Sequence, residues 1–106
     1  MIDFVTLEAE GRTYNFEVYP KETRFKDVVA LYVFLAPTLG GYYPLYIGQT
    51  TELGTRLENH HKWSEAVRHG FAYIGVCRDV SILSLDLDER ALIQRHRPPL
   101  NEALVQ

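Results

Sequence analysis

Two charged residues fall where helices should turn hydrocarbon inward. Between Leu85 and His96, the residues Leu85, Leu92, Ile93 and His96 recur at the spacing of one helical stripe, and Glu89 lies in its middle. Further upstream, Leu53, Leu57 and His60 mark an inward helical face, and Arg56 sits three residues after Leu53 and four before His60. A carboxylate on an apolar face is costly unless it is paired, hydrogen-bonded or bound to a metal. Glu89 is therefore either a rim residue reaching solvent, a structural partner of Arg56, or part of a site. Arg56 is either that partner or a fixed cation facing a phosphate. Periodicity leaves all of these readings open. Tyrosine adds a third group: four of the seven tyrosines, Tyr32, Tyr42, Tyr43 and Tyr46, flank one loop. Strand propensity accounts for tyrosines in general, but Tyr32 and Tyr46 fall on neighbouring strands, where their hydroxyls can converge.

The elements that must position these groups are readable from pattern. Ile2 to Ala9, the Glu10-Gly11 turn and Arg12 to Tyr19 predict a β-hairpin, with Tyr14, Phe16 and Val18 on one face. A charged connector, Pro20 to Asp27, leads to Val28–Ala36, apolar and β-branched enough for a buried central strand. The chain turns at Gly40-Gly41 and returns as a strand from Tyr42 to Ile47. Thr50 or Thr51 is the expected N-cap, with Glu52 in the first turn, of a helix running to about His61 and weakened by Gly54. A short helix over Trp63–His69 ends at Gly70, and Phe71 to Cys77 is a third core strand. Ser84 is the expected cap of a last helix through Arg95 or His96, stopped by Pro98-Pro99. The order predicts an α+β fold: a small, mainly antiparallel three-stranded central sheet flanked by helices, with an added N-terminal β-hairpin.

Length and composition bound the rest. The 106 residues make one domain, with residues 1–27 as hairpin extension and connector and 28–101 as core. A net charge of −3 and a pI near 5.7 exclude a protein that binds nucleic acid by bulk charge. They leave room for a local basic face, and Gly54 to Arg78, at +2, is the one net-positive stretch. The single cysteine, Cys77, excludes an internal disulfide and a multi-thiolate metal site. Four histidines without metal spacing argue against zinc, and Gly40-Gly41 lacks the Lys-Ser/Thr of a phosphate loop. Trp63 reads as a core anchor. The acidic start Met1-Ile2-Asp3 and the short apolar stretches predict a cytoplasmic protein without a membrane partner.

Ala30-Leu31-Tyr32 and Tyr46-Ile47-Gly48-Gln49-Thr50, followed by Arg56-Leu57, His60, Glu89 and Pro98-Pro99-Leu100-Asn101, resemble the GIY-YIG nuclease family from about Val28 to Asn101. The resemblance implies an endonuclease dependent on Mg²⁺ or Mn²⁺ that hydrolyses phosphodiesters with a single metal ion. It implies Glu89 as the only protein ligand of that metal, which keeps most of its waters and takes the rest from substrate. It implies Tyr32 or Tyr46, preferentially Tyr32, in deprotonating the attacking water, and Arg56 in stabilising charge on phosphorus. His60 would contact the scissile phosphate or assist proton transfer, and Asn101 would fix local structure. DNA is the implied partner, RNA less so. Ala30 and Leu31 depart mildly from the motif, and Glu52 to Thr55 lacks the cations that relatives often carry, which bears on substrate affinity. The rival expectation is a non-cutting interaction module on the same fold, with a partner protein or a homodimer pairing through the hairpin edge.

Overall fold

The computed structural model describes residues 3–104. Strands β1 (Asp3–Ala9) and β2 (Arg12–Pro20) form the expected hairpin, although Ile2, its expected first residue, lies outside the described residues. The two-residue turn places Glu10 and Gly11 at φ 52 and 78, the left-handed pair that matches strand twist in a tight hairpin. Then come β3 (Ala30–Thr38), β4 (Gly41–Thr50), α1 (Leu53–Glu58), α2 (Trp63–Arg68), β5 (Tyr73–Cys77), α3 (Leu85–His96) and a closing 3-10 segment, Pro99–Leu104. The class is α+β.

The strands form one antiparallel five-stranded sheet in the order β1-β2-β5-β3-β4, which corrects the expected three-stranded sheet with an appended hairpin. The three expected core strands are neighbours with β3 between the other two. The hairpin continues them because β2 pairs with β5, Glu17 opposite Val76 and Val18 opposite Gly75. The physical reason lies in Tyr14, Phe16 and Val18, whose apolar face packs with Leu31, Val33 and Leu35 of β3 and Leu85, Leu92 and Ile93 of α3. Among the described residues, the hairpin therefore supplies five of the thirteen buried residues of the core on that side, Leu7, Ala9, Tyr14, Phe16 and Val18.

Six consecutive buried residues, Ala30 to Leu35, show that β3 is covered on both faces. Tyr32 and Phe34 belong to the opposite cluster, with Leu53, Leu57 and Phe71, and Trp63 packs against it as a core anchor. Helix α3 packs against β4, β3 and β1, so it spans from one edge strand to the other and the sheet curls around it. The closure is held by Tyr42 Oη, which donates to Asp3 Oδ2 at 2.8 Å, and by His96 Nε2, which donates to the Glu8 carbonyl at 2.9 Å. No helix of the described residues is long and apolar enough to cross a membrane.

Helix α1 is shorter than its pattern predicts, ending at Glu58 instead of about His61. His60 explains the stop, because its Nδ1 takes the backbone N–H of Lys62 at 3.0 Å and competes with helical bonding. The N-cap position is Glu52, without a side-chain cap, rather than Thr50 or Thr51; Thr50 Oγ1 instead accepts the Glu52 N–H at 2.9 Å. The capping oxygen comes from the connector. Asp27 Oδ1 accepts the Thr55 N–H at 2.7 Å, and Oδ2 accepts the Thr55 hydroxyl at 2.9 Å. Gly54 belongs to this junction, since a Cβ there would collide with the Phe25 carbonyl oxygen. Ser84 is the N-cap residue of α3 as predicted, but its hydroxyl donates to the Asp88 carboxylate at 3.0 Å instead of capping.

Candidate active site

Tyr32 is fully buried on β3, directly opposite Gly48 of β4. The phenol lies across that glycine: a Cβ on Gly48 would overlap Cζ and Oη of Tyr32. The glycine of Tyr46-Ile47-Gly48 is thus the space the tyrosine occupies. Tyr46 is two residues away, and its strand bulges opposite Phe34/Leu35, so that Phe34 pairs with Tyr46 and Leu35 with Pro44. The extra residue, Leu45, breaks the alternation and turns in with Tyr46 on the Tyr32 face. The two tyrosine rings lie 6.3 Å apart, and the His60 ring meets Tyr32 at 5.6 Å and Tyr46 at 5.0 Å, edge-on in both cases.

The hydrogen bonds fix protonation. His60 is buried, and burial, reinforced by His61, Arg56 and Lys62, lowers its pKa to about 3, so the ring is neutral. Nδ1 accepts the Lys62 N–H and therefore carries no proton; the proton sits on Nε2, 2.7 Å from Tyr32 Oη. His60 donates and Tyr32 accepts. Arg56 Nε donates to the same oxygen at 3.4 Å, so Tyr32 Oη receives two N–H groups and its own proton is left for a third partner. Burial pushes the Tyr32 phenol pKa well above its ordinary value, against the opposing pull of Arg56. Burial raises Tyr46 as well, again opposed by Arg56, while Glu89 adds to the rise.

Arg56 corrects the inward-facing expectation. Its residue is exposed, and the guanidinium leans over Tyr32 and Tyr46 from the solvent side, its charge strengthened first by the bond to Tyr32. Glu89 is half-buried on α3. Burial is the main cause of its raised pKa, Asp86 one turn earlier adds to it, and Gln49, Arg56 and Arg90 oppose it. Arg56 and Glu89 form no ion pair among the described residues, which removes the simple structural pairing. Asn101 is buried and brackets one residue of β4: its Oδ1 accepts the Ile47 N–H and its Nδ2 donates to the Ile47 carbonyl, both at 2.9 Å. Because β4 is an edge strand, Asn101 acts as one residue of a missing neighbour and pins the closing segment beside Tyr46 and Gly48.

Sequence reasoning missed three residues. Asp88 is buried at 3% exposure and accepts from Tyr14 Oη at 2.8 Å and from Arg12 Nη1 at 2.9 Å, as well as from Ser84. Its spacing to Leu85 and Leu92, three and four residues, was the available signal. Gln49 donates to Asp86 and bonds Glu89, holding the two carboxylates of α3 against β4. Asp27 had no local signal, because its partner lies 28 residues away. Among the described residues no three of His, Cys, Asp or Glu converge as a metal cage. A single half-buried carboxylate fits a hard cation that keeps its waters and takes further oxygens from substrate. No family model, no curated protein and no solved structure matches the chain.

Proposed function

We propose that the protein is an endonuclease dependent on Mg²⁺ or Mn²⁺ that hydrolyses phosphodiester bonds in DNA, as its resemblance to the GIY-YIG nucleases implies. The observation that carries the reading is the Tyr32 hydroxyl. It is held by His60 Nε2–H and Arg56 Nε–H, with Tyr46 beside it and Glu89 close enough to raise the pKa of both tyrosines. A core has no use for a buried hydroxyl whose acceptor capacity is filled and whose proton is directed elsewhere.

Each side chain then has a defined task. Arg56 donates to Tyr32 and to Tyr46 and keeps further guanidinium N–H groups for the phosphate oxygens, where charge builds in the transition state. Tyr32, as a phenol, donates a hydrogen bond to a phosphate oxygen; as a phenolate it accepts the proton of the attacking water. His60 and Arg56 both favour the phenolate, and burial opposes it. His60 itself contributes as a fixed donor, because neither ring nitrogen is free to take a proton. Glu89 would hold the cation, with Gln49, itself donating to Asp86, holding the carboxylate against β4. When bound, that cation supplies positive charge to the scissile phosphate and to the water.

The test is cleavage of supercoiled plasmid and of branched DNA with Mg²⁺ or Mn²⁺. Wild type should nick or cut at least one substrate, EDTA should abolish this, and Glu89→Ala and Tyr32→Phe should lower the rate at least about 100-fold. Equal inactivity of wild type and Glu89→Ala on every substrate would refute the proposal.

A further inference from the structure

An open cleft of about 210 Å³ lies between the connector after β2, the start of α1 and the end of β5. Arg24, Lys26 and Arg78 line it, over a floor that includes Tyr19 and Phe25, whose rings meet edge to face at 5.3 Å. No carboxylate is among its lining residues, in a chain whose net charge is −3. Arg78 is partly neutralised by Glu17, at 3.1 Å, and Glu17 also takes the Tyr19 hydroxyl. Arg24 and Lys26 are exposed and make no ion pair or side-chain hydrogen bond among the described residues. Two uncommitted cations above an aromatic floor form a surface for an anion carrying a flat ring.

The cleft adjoins the candidate active site. Val76, in its lining, is the direct cross-strand partner of Tyr32, and Leu53, also in its lining, lies one helical turn before Arg56. Cross-strand neighbours have Cβ atoms only about 5 Å apart, so a strand whose phosphate meets Arg56 passes the cleft within a nucleotide or so. Sites that engulf a whole small ligand run to roughly 300–1,000 Å³. This one is smaller and open, which suits one unit of a longer polymer.

We propose that the cleft receives one unpaired nucleotide of the substrate strand next to the scissile phosphate, its phosphate on Arg24 and Lys26 and its base on the Tyr19–Phe25 floor. The proposal rests on the nuclease reading and narrows its substrate to DNA that is single-stranded beside the cut. A base within a duplex cannot enter, whereas base-on-aromatic stacking accepts any unpaired base. The connector would thereby supply the cations that Glu52 to Thr55 lacks.

The test is fluorescence anisotropy in EDTA, with a labelled 15-nucleotide single strand and the same sequence as a duplex, from 50 to 200 mM salt. Wild type should bind the single strand more tightly. Arg24→Ala with Lys26→Ala should weaken that binding several-fold and reduce the log–log salt slope by about 0.7, the value for the one strand phosphate that the two cations share. Arg95→Ala with Arg97→Asn, which removes the same charge near the far edge where His96 meets β1, should leave the slope unchanged. Melting curves of both variants should match wild type, since neither Arg24 nor Lys26 holds another residue. Equal slopes for the two double variants, or an equal loss on duplex and single strand, would overturn the cleft proposal while plasmid cleavage left the nuclease reading intact. A wild type that binds neither DNA and cuts none would overturn both.

Discussion

Gly48→Ala is the substitution that most directly probes how the site is built. An added Cβ lands closer than 3.0 Å to Cζ and Oη of Tyr32 and 2.9 Å from Cε1. Carbon–carbon contacts settle at about 3.5–4.0 Å, so the phenol end must move by at least about 0.5 Å. Tyr32 has no exposed surface and is packed by Phe34, Tyr46 and His60, so it has little room to yield. Overpacking of this kind costs roughly 1–3 kcal/mol, or about 4–8 °C of melting temperature per kcal/mol in a domain of this size. The same movement takes the 2.7 Å bond to His60 towards or past the roughly 3.2 Å limit of a good hydrogen bond. Misplacing a reacting group by about 1 Å can cost on the order of 100-fold in rate. Urea denaturation should therefore show the loss in stability, and the His60 Nε2–H resonance should shift. DNA cleavage should fall further than the loss of folded protein explains. An alanine variant that melts with wild type and leaves that resonance unmoved would refute the packing argument, whatever the substrate proves to be.

Three further outcomes are expected. His60 should remain the neutral Nε2–H tautomer from pH 8 to pH 5 in ¹⁵N spectra. Its folded pKa, near 3, lies below the unfolded 6.5, so the unfolded chain binds more protons from about pH 6.5 down to 3 and stability should fall as pH drops through that range, by at most about 1.4 kcal/mol per unit; a His60→Gln variant with the same pH slope would contradict this. Tyr14→Phe removes one hydroxyl from the buried Asp88 carboxylate and should cost about 1.5–3 kcal/mol by urea denaturation with the fold retained, an unchanged midpoint counting against that clamp. Because burial and Asp86 raise the Glu89 pKa, its ionised form is less favourable in the folded chain than in the unfolded one. Glu89→Gln should melt above wild type in EDTA, and the gap should close as Mg²⁺ is added to wild type; a lower melting point in EDTA would show Glu89 to be stabilising in its own right.

The strands were legible because an alternating or continuous apolar run reports on its own burial. Tyr14, Phe16 and Val18 announce an inward face, and Ala30 to Leu35 announces two. What such a run does not report is its neighbour. Nothing within Arg12 to Tyr19 says that β2 pairs with β5, so a hairpin that is local in sequence looked like an appendage. Helix ends failed for a related reason: Thr50 and Thr51 have the right chemistry for a cap, but Asp27 reaches the same N–H groups through the fold. Gly54 reads as a weak point in a helix, whereas it and Gly48 are each a place where another part of the chain comes too close for a side chain. The grouping of Tyr32, Tyr46, Arg56 and His60 was legible through residue types and order. Their roles were not, because the direction of the His60–Tyr32 bond depends on a backbone N–H two residues further along.

The two helices that carry the candidate site's charges are both held from the segment that precedes β3. Asp27 caps α1 and the Phe25 carbonyl lies against Gly54, so the connector sets the height of Arg56 over Tyr32. Tyr14 and Arg12 grip Asp88, the residue next to Glu89, and the Glu8 carbonyl takes His96 two turns further on, so the hairpin sets the depth and rotation of α3. Neither helix is secured by its own sequence: α1 is six residues long, and neither α1 nor α3 has a side-chain cap of its own. Helices this short gain most of their stability from tertiary contacts. The guanidinium and the carboxylate are thus referred to a common frame, residues 3–27, rather than to each other. An Arg56–Glu89 salt bridge would have fixed them more simply, at the cost of neutralising both groups. Holding them apart from behind leaves both charges available to whatever enters between them.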